Sequence, residues 1–372
     1  MIRQAAKPVL VALCATLCSC RPRPETAAPP RPQAPAIAAT AAPQMPAGVF
    51  RLSGSPEEIG RQHGTVLREP IRIMLSEYLR DDTASGTLDP EMLARVRRMK
   101  PSLPTWYLQE LQACAKAAGI DEDLLLFAQC EGDIRSLGGC TTYVALGAAT
   151  ADGALEIGRN FDYWGLESPE KCAVILSVVP RPEDGYAFVS VGWSGILGGW
   201  TFINEKGLFV ANNIGGFYET NPEGIPTLIM ERIIAQKAAT VAEAVAIIKS
   251  NPRMRGQVLV LGQAGDAAQG RQPHAVVVAY GAQTVEVQPP VDGLAFHSSM
   301  FTPRAQIARG VAEPDREPMD TIRSAGSSIT LHSVAIRPQE HRLWVAHGTI
   351  PSAHQGKYTQ YDLRALLRRD AR

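Results

Sequence analysis

One cysteine stands among neighbours that give it chemistry to do. Cys140 follows Gly138 and Gly139 and opens the run Cys-Thr-Thr, and Arg159 and Asp162 follow in Gly-Arg-Asn-Phe-Asp. A thiol attacks as its thiolate, which a nearby guanidinium favours, while a carboxylate can orient an ammonium. Gly139 gives the backbone freedom for a strained, exposed turn ahead of the thiol. Were the Gly139-Cys140 peptide cut, the new α-amino group would have a pKa near ~8 and would serve as base to its own side chain. The competing reading of Cys140 is a buried or bridged thiol with a structural role.

These groups need a sheet to bring them together. Residues 138–164 read as a β-hairpin: Tyr143, Ala145 and Gly147 alternate with Thr142, Val144 and Leu146, the period of a half-buried strand. Asp152-Gly153 supplies the turn, and residues 154–160 run back. A thiol at the start of one strand then meets a cation and a carboxylate at the end of its partner.

Upstream of the hairpin the pattern is helical. Ser55-Pro56-Glu57-Glu58 combines an N-cap, a proline at the first helical position and a capping-box glutamate. That helix is expected to run past His63 and on beyond Pro70 with a kink. Further helices are expected around 92–99, over 106–118 with a stop at Gly119, and from Asp121 to Cys130. After Cys140 the chain is strand-rich, apart from helices at about 226–236 and 240–250, the latter opened by Thr240-x-x-Glu243. The residue pattern alone gives mixed α and antiparallel β.

A chain of 372 residues with 45% apolar content can bury a sizeable core. Lys+Arg and Asp+Glu number 37 each, so there is no basic excess for a phosphate backbone, and nucleic acid is excluded as a partner. Seven histidines are scattered without HExxH or CxxC, which gives neither a metal site nor a cofactor. Residues 1–20 have the charged start and short apolar run of an export signal. The run Leu17-Cys18-Ser19-Cys20 resembles a bacterial lipoprotein signal, which implies lipidation of Cys20; an ordinary cleaved secretory signal is the alternative. Residues 21–47 carry eight prolines and nine alanines and read as a disordered tether reaching about 80 Å when extended. Cys114, Cys130, Cys140 and Cys172 remain for the body, and in an exported protein they are open to disulfide pairing.

The ordered set of motifs is more specific than any one of them. Gly-Cys-Thr-Thr at 139–142, Ala-Asp-Gly at 151–153 and Gly158-Arg159-Asn160-Phe161-Asp162 are preceded by Gly-Ser-Pro-Glu-Glu-Ile-Gly-Arg-Gln-His-Gly at 54–64. They are followed by Asn204-Glu205-Lys206-Gly207-Leu208 leading into Asn212-Asn213, by Thr330-Leu331-His332-Ser333-Val334, and by Leu-Trp-Val-Ala-His-Gly at 343–348. Over most of residues 50–365 the chain resembles the N-terminal-nucleophile cysteine hydrolases, in particular the isopenicillin N acyltransferase family of self-cleaving acyltransferases and hydrolases.

The resemblance implies an α+β fold, a four-layer αββα sandwich of two antiparallel sheets between helical layers. It implies that Cys140 cuts its own chain after Gly139 and then attacks a linear amide of a small N-acyl substrate through a thioester. Arg159 would support the thiolate and Asp162 the new amino terminus. Asn213 would donate to the oxyanion; Asn212 is adjacent, and strand alternation lets only one of the two serve. Phe296-His297-Ser298-Ser299 stands where the family carries an Asn-His pair, which leaves His297 as a polar pocket candidate or an ordinary packed histidine. Trp193 and Trp200 bracket a glycine-rich turn, as core residues or as pocket wall. The implied organisation is signal 1–20, tether 21–47, α-rich prosegment 48–139 and catalytic chain 140–372, the last two associated after cleavage on the outer side of a bacterial membrane, in periplasm or at the cell surface. Two other readings remain open: an uncut thiol hydrolase with His297 or His332 as base, and a non-catalytic surface lipoprotein that binds amides.

Overall fold

The computed structural model of the chain describes residues 48–369, apart from 85–86, 136–137, 267, 269 and 349–351. The signal 1–20, its Cys20 and the tether 21–47 lie outside the described residues. Residues 48–139 and the rest of the body form one compact unit.

The chain enters as strand β1 (Val49–Gly54) and turns into helix α1 (Pro56–Val66), where Ser55 and Glu58 form the anticipated capping box. Instead of kinking at Pro70, the helix breaks at Leu67 and restarts as α2 (Arg68–Tyr78), placing the proline in a first turn where its missing N–H costs nothing. A two-strand ribbon follows, β2 (Thr83–Ala84) with β3 (Thr87–Leu88). Asp89 caps α3 (Pro90–Met99), Gly119 ends α4 (Thr105–Ala118) in the left-handed conformation at φ 67°, and Asp121 caps α5 (Glu122–Ala128). A last short helix, α6 (Glu131–Arg135), leads to the site.

The expected hairpin is present as β4 (Gly139–Ala145) against β5 (Glu156–Asp162), in a register that sets Gly139 opposite Asp162 and Cys140 opposite Phe161. Two details differ from the sequence reading. Every residue of both strands is buried, because the sheet is covered on both faces, and the connection is a longer loop over 146–155 in which Gly153 takes φ 74°.

After α7 (Pro169–Cys172) come β6 (Ala173–Pro180), β7 (Phe188–Trp193), β8 (Thr201–Asn204) and β9 (Leu208–Asn213). Helices α8 (Thr227–Lys237) and α9 (Val241–Ser250) follow, the second capped by Thr240, and then β10 (Gln257–Gln263), β11 (His274–Tyr280), β12 (Val285–Gln288) and β13 (Leu294–Ser298). Two helices that the sequence reading did not anticipate, α10 (Arg304–Ala312) and α11 (Pro318–Ser324), precede β14 (Thr330–Arg337), β15 (Arg342–His347), β16 (Thr359–Asp362) and α12 (Leu363–Leu367).

The strands make an eight-stranded sheet, β1-β6-β7-β8-β9-β10-β11-β12, and a six-stranded sheet, β13-β4-β5-β14-β15-β16. Pairing is antiparallel throughout both except for β1, which lies parallel to β6 at the edge of the larger sheet. Three apolar layers hold the stack. Val144 and Ile157 meet Val189, Phe209 and Val260 between the sheets. Residues of α2, α4, α5 and α8 cover the far face of the larger sheet, and those of α10 and α11 cover the far face of the smaller one. Each sheet face needs an apolar partner, and this order of layers is the αββα sandwich.

Candidate active site

Strand alternation sorts the expected site residues. Cys140, Thr142 and Val144 share one face of β4, and Ile157, Arg159 and Phe161 share the same face of β5, turned towards the other sheet. Asp162 is on the opposite face, beside the backbone of Gly139 and Cys140. Arg159 thus shares the face of the sulfur, and Asp162 lies beside the main chain of Gly139.

Cys140 is unbridged and 4% exposed. Burial raises its thiol pKa, while the Arg159 guanidinium and the Asp162 main-chain N–H oppose the rise. Burial also raises the thiols of Cys114, Cys130 and Cys172, with no guanidinium to oppose it. Among the four cysteines of the described residues, Cys140 is the one with a guanidinium lowering its thiol pKa.

Arg159 is fully buried and tied to three neighbours. It donates to the Asn160 carbonyl at 2.9 Å, to the Thr142 hydroxyl at 3.3 Å and to the Asn212 amide oxygen at 3.4 Å, and its Nε has no partner. Thr142 in turn donates to the Asn213 amide oxygen at 3.2 Å. Asp162 accepts from the hydroxyls of Thr330 at 2.5 Å and Ser327 at 2.7 Å, leaving its Oδ2 buried without a partner. Burial raises this carboxyl, and the two hydroxyls draw it back.

Both asparagines reach the Thr142 and Arg159 pair, Asn213 through Thr142 and Asn212 through Arg159. Asn212 lines a cavity of about 40 Å³ together with Cys140, Phe161, Asp162, Trp200 and Gln257. Its oxygen is turned to Arg159, so its amide NH₂ is the end left for a ligand. Asn213 does not line that cavity; it is fully buried on Thr142, with an unpartnered Nδ2. Sequence reasoning favoured Asn213; Asn212 is the one of the two that lines the cavity with Cys140.

The structure also brings in a residue that the sequence reading passed over. Ser299 accepts from the Cys140 N–H at 2.9 Å, and the Ser299 N–H donates to the Cys140 carbonyl at 2.9 Å. That nitrogen belongs to the Gly139-Cys140 peptide. Next to it, a Cβ on Gly139 would come within 2.1 Å of the Met300 sulfur, so a larger residue there would have to displace that flexible side chain.

The remaining candidates lie further out. His297 contacts the Ile214 carbonyl at 3.2 Å, and burial lowers its pKa. His332 is stacked on Phe161 at 5.1 Å and shares a 2.9 Å hydrogen bond with Thr201, its pKa pushed well down by burial. Neither lines the Cys140 cavity. Trp193 packs edge-on against Phe161 and Trp200, one layer behind the wall that Trp200 forms. Among the described residues no group of three or more His, Cys, Asp or Glu side chains is placed to hold a metal ion.

A larger cavity of about 560 Å³ shares Tyr78 and Tyr163 with the small one as lining residues. It has room for most of a small organic molecule. The arrangement provides a thiol beside a cation, an amide donor, a carboxylate against the thiol's own backbone, and an adjoining space for a substrate.

Comparison with known proteins agrees with the motifs. Residues 149–282 match the family described as acyl-coenzyme A:6-aminopenicillanic acid acyl-transferase; the match begins after Cys140 and takes in Arg159, Asp162, Asn212 and Asn213. The chain is similar to a protein of Archaeoglobus fulgidus at 24% identity over 238 residues, covering 55% of this chain and 39% of that one. Among solved structures it is similar to an N-acylethanolamine-hydrolyzing acid amidase ortholog of Caenorhabditis elegans, at 15% identity and TM-score 0.42, covering 54% of this chain and 93% of that one. It is also similar to the penicillin V acylase of Agrobacterium tumefaciens, at 15% identity and TM-score 0.37, covering 61% and 93% of the two chains.

Proposed function

We propose that this chain, similar over residues 149–282 to a family of acyltransferases, hydrolyses or transfers the acyl group of an amide with Cys140 as nucleophile. The observation that carries the reading is the placement of the Cys140 thiol beside Arg159 while Asp162 sits across the sheet at the Gly139-Cys140 peptide. An ordinary structural thiol needs neither.

In the proposed sequence the Cys140 sulfur attacks the Gly139 carbonyl, the C–N bond to Cys140 breaks, and the acyl group moves to sulfur. Water then hydrolyses the thioester, leaving a Gly139 carboxylate and a free α-amine on Cys140. In turnover that amine takes the thiol proton, the thiolate adds to the substrate carbonyl, and the departing amine receives the proton from the α-ammonium. Asn212 donates to the oxyanion, Arg159 favours thiolate, and Asp162 together with Ser299 holds the α-amino group. Water completes hydrolysis, and an amine in its place gives acyl transfer.

The reading extends to the whole chain as a lipid-anchored protein on the outer side of a bacterial membrane, tethered through Cys20. Membrane association that survives Cys20→Ser would remove that part. The enzymatic part is tested by turnover of N-acyl amides: the wild-type chain is expected to release amine, and Cys140→Ala to release none. Equal turnover by both would end it. Since no histidine lines the thiol's cavity, an uncut Cys-His pair is less well supported.

A further inference from the structure

A third cavity, of about 390 Å³, shares no lining residue with the two already described. It lies between α3, α6 and the chain around Thr220 and Arg255, and its charged lining residues are Arg95, Arg98, Arg255 and Asp133. Asp133 is the acidic one, and both its oxygens are engaged, accepting the Thr227 N–H at 2.9 Å and the Thr227 hydroxyl at 2.7 Å. The guanidinium groups are less occupied. Arg98 has no hydrogen-bond or ion-pair partner among the described residues. Arg255 donates from Nη1 to the Asp133 carbonyl at 2.8 Å, and its Nε is buried without a partner. Arg95 makes one exposed pair with Glu91, a helical turn back at 2.8 Å, of a kind that contributes little.

The contrast with the larger cavity is direct. There Arg80 is matched by Glu167 and Arg135 by Asp82, whereas the third cavity has three guanidinium groups and no free carboxylate among its lining residues. Guanidinium forks match the paired oxygens of a carboxylate or phosphate. A cation would meet like charge. The rest of the wall is largely apolar: Met99 is fully buried, and Ile134 and Met254 pack against the same core. The volume is that of a site for a small organic molecule.

We propose that this cavity binds a small organic oxyanion, a carboxylate or a phosphate monoester with a short apolar body, its head on Arg98 and Arg255 and its body on Met99, Ile134 and Met254. The site shares no wall with the Cys140 cavity, so its ligand is distinct from the amide substrate and independent of the acyl-transfer reading. Its residues come from both sides of Gly139: Arg98, Met99 and Ile134 precede that position, and Met254 and Arg255 follow it. A bound anion therefore bridges the segments that a cut after Gly139 would separate, and by mass action it stabilises their association.

The test is calorimetric titration of the full chain at low ionic strength with hexanoate, hexyl phosphate and hexan-1-ol, which share a chain and differ in the head. Both anions are expected to bind at least about tenfold more tightly than the alcohol, the worth of one charge-assisted hydrogen bond. The tighter of the two identifies the head group. Inorganic phosphate, with no chain to bury, is expected to bind at least about tenfold more weakly than hexyl phosphate. Arg98→Gln removes an exposed cation that holds nothing else in place, and is expected to weaken both anions at least about fivefold while leaving amide turnover as in the wild type. Arg255→Gln is expected to weaken them likewise.

Equal binding of anions and alcohol by the wild type overturns the proposal. So does an anion affinity unchanged in both variants, because the anion then sits elsewhere. Equal binding of the two phosphates overturns the part given to the apolar wall. Because binding needs no turnover, the two readings fail separately: a chain inert towards amides that still selects the anions keeps this site and loses the acyl-transfer reading, and an active chain without the selection loses only the site.

Discussion

At the scale of single residues, the site is a set of helpers gathered around one sulfur. Two of them can be distinguished by substitution. Asn212→Ala is expected to lower kcat by about a hundredfold or more, the usual cost of removing one oxyanion donor, while Asn213→Ala acts through Thr142 and lowers it less. Steady-state kinetics on one amide decides between them, and the reverse order would restore Asn213 to the role. The second prediction concerns pH. Burial raises the Asp162 carboxyl, and the Thr330 and Ser327 hydroxyls stabilise its charged form. Thr330→Val removes one of those bonds, so the pKa rises further and the carboxylate is lost at a higher pH. The acid limb of the kcat/KM profile is therefore expected to move upward, and a limb that stays in place would show that Asp162 does not control it.

The residue types at the centre were legible, because Cys140, Arg159 and Asp162 fall in one short stretch of chain. Ser299 was not, since its contact with Cys140 spans 159 positions and a serine announces nothing by itself. The choice between Asn212 and Asn213 depended on where the strand end lies relative to the other sheet. Alternation says that the two point apart, not which of them meets the thiol.

At the scale of elements, the first segment of the body is built into the second. β1 is an edge strand of the larger sheet, and α4 is locked to α8 by a buried pair, Arg232 to both oxygens of Glu110 at 3.0 and 2.7 Å. Asp133 of α6 also accepts from the N–H and hydroxyl of Thr227, at the start of α8. A cut after Gly139 would leave all of these contacts in place. Glu110→Ala leaves a buried guanidinium without its counter-charge, an expected loss of about 3–5 kcal/mol. Denaturant unfolding measures it, and a change under about 1 kcal/mol would show that the pair does not hold these helices together.

Elements with explicit start residues were readable: Ser55, Asp121 and Thr240 all cap helices. Two of the unanticipated helices, α10 and α11, have N-caps, Pro303 and Glu317, outside the usual capping types. They are also what covers the outer face of β4, which explains why a strand with half-buried periodicity is buried on both sides.

At the scale of the whole molecule, the sandwich puts the Gly139-Cys140 peptide, the Cys140 sulfur, Arg159 and Asp162 at one end of two stacked sheets. Layer order could not be read from periodicity, because pattern gives each strand two faces without saying what covers them, and it entered the sequence reading only through the family resemblance. The central claim is that Cys140 becomes a terminal residue. Intact-mass measurement of the purified full chain, alongside Cys140→Ala, tests it most directly. The expected result is two associated pieces from the wild type, one of them beginning at Cys140, and a single uncut chain from the variant. A wild-type chain that remains in one piece while turning over an N-acyl amide would contradict it.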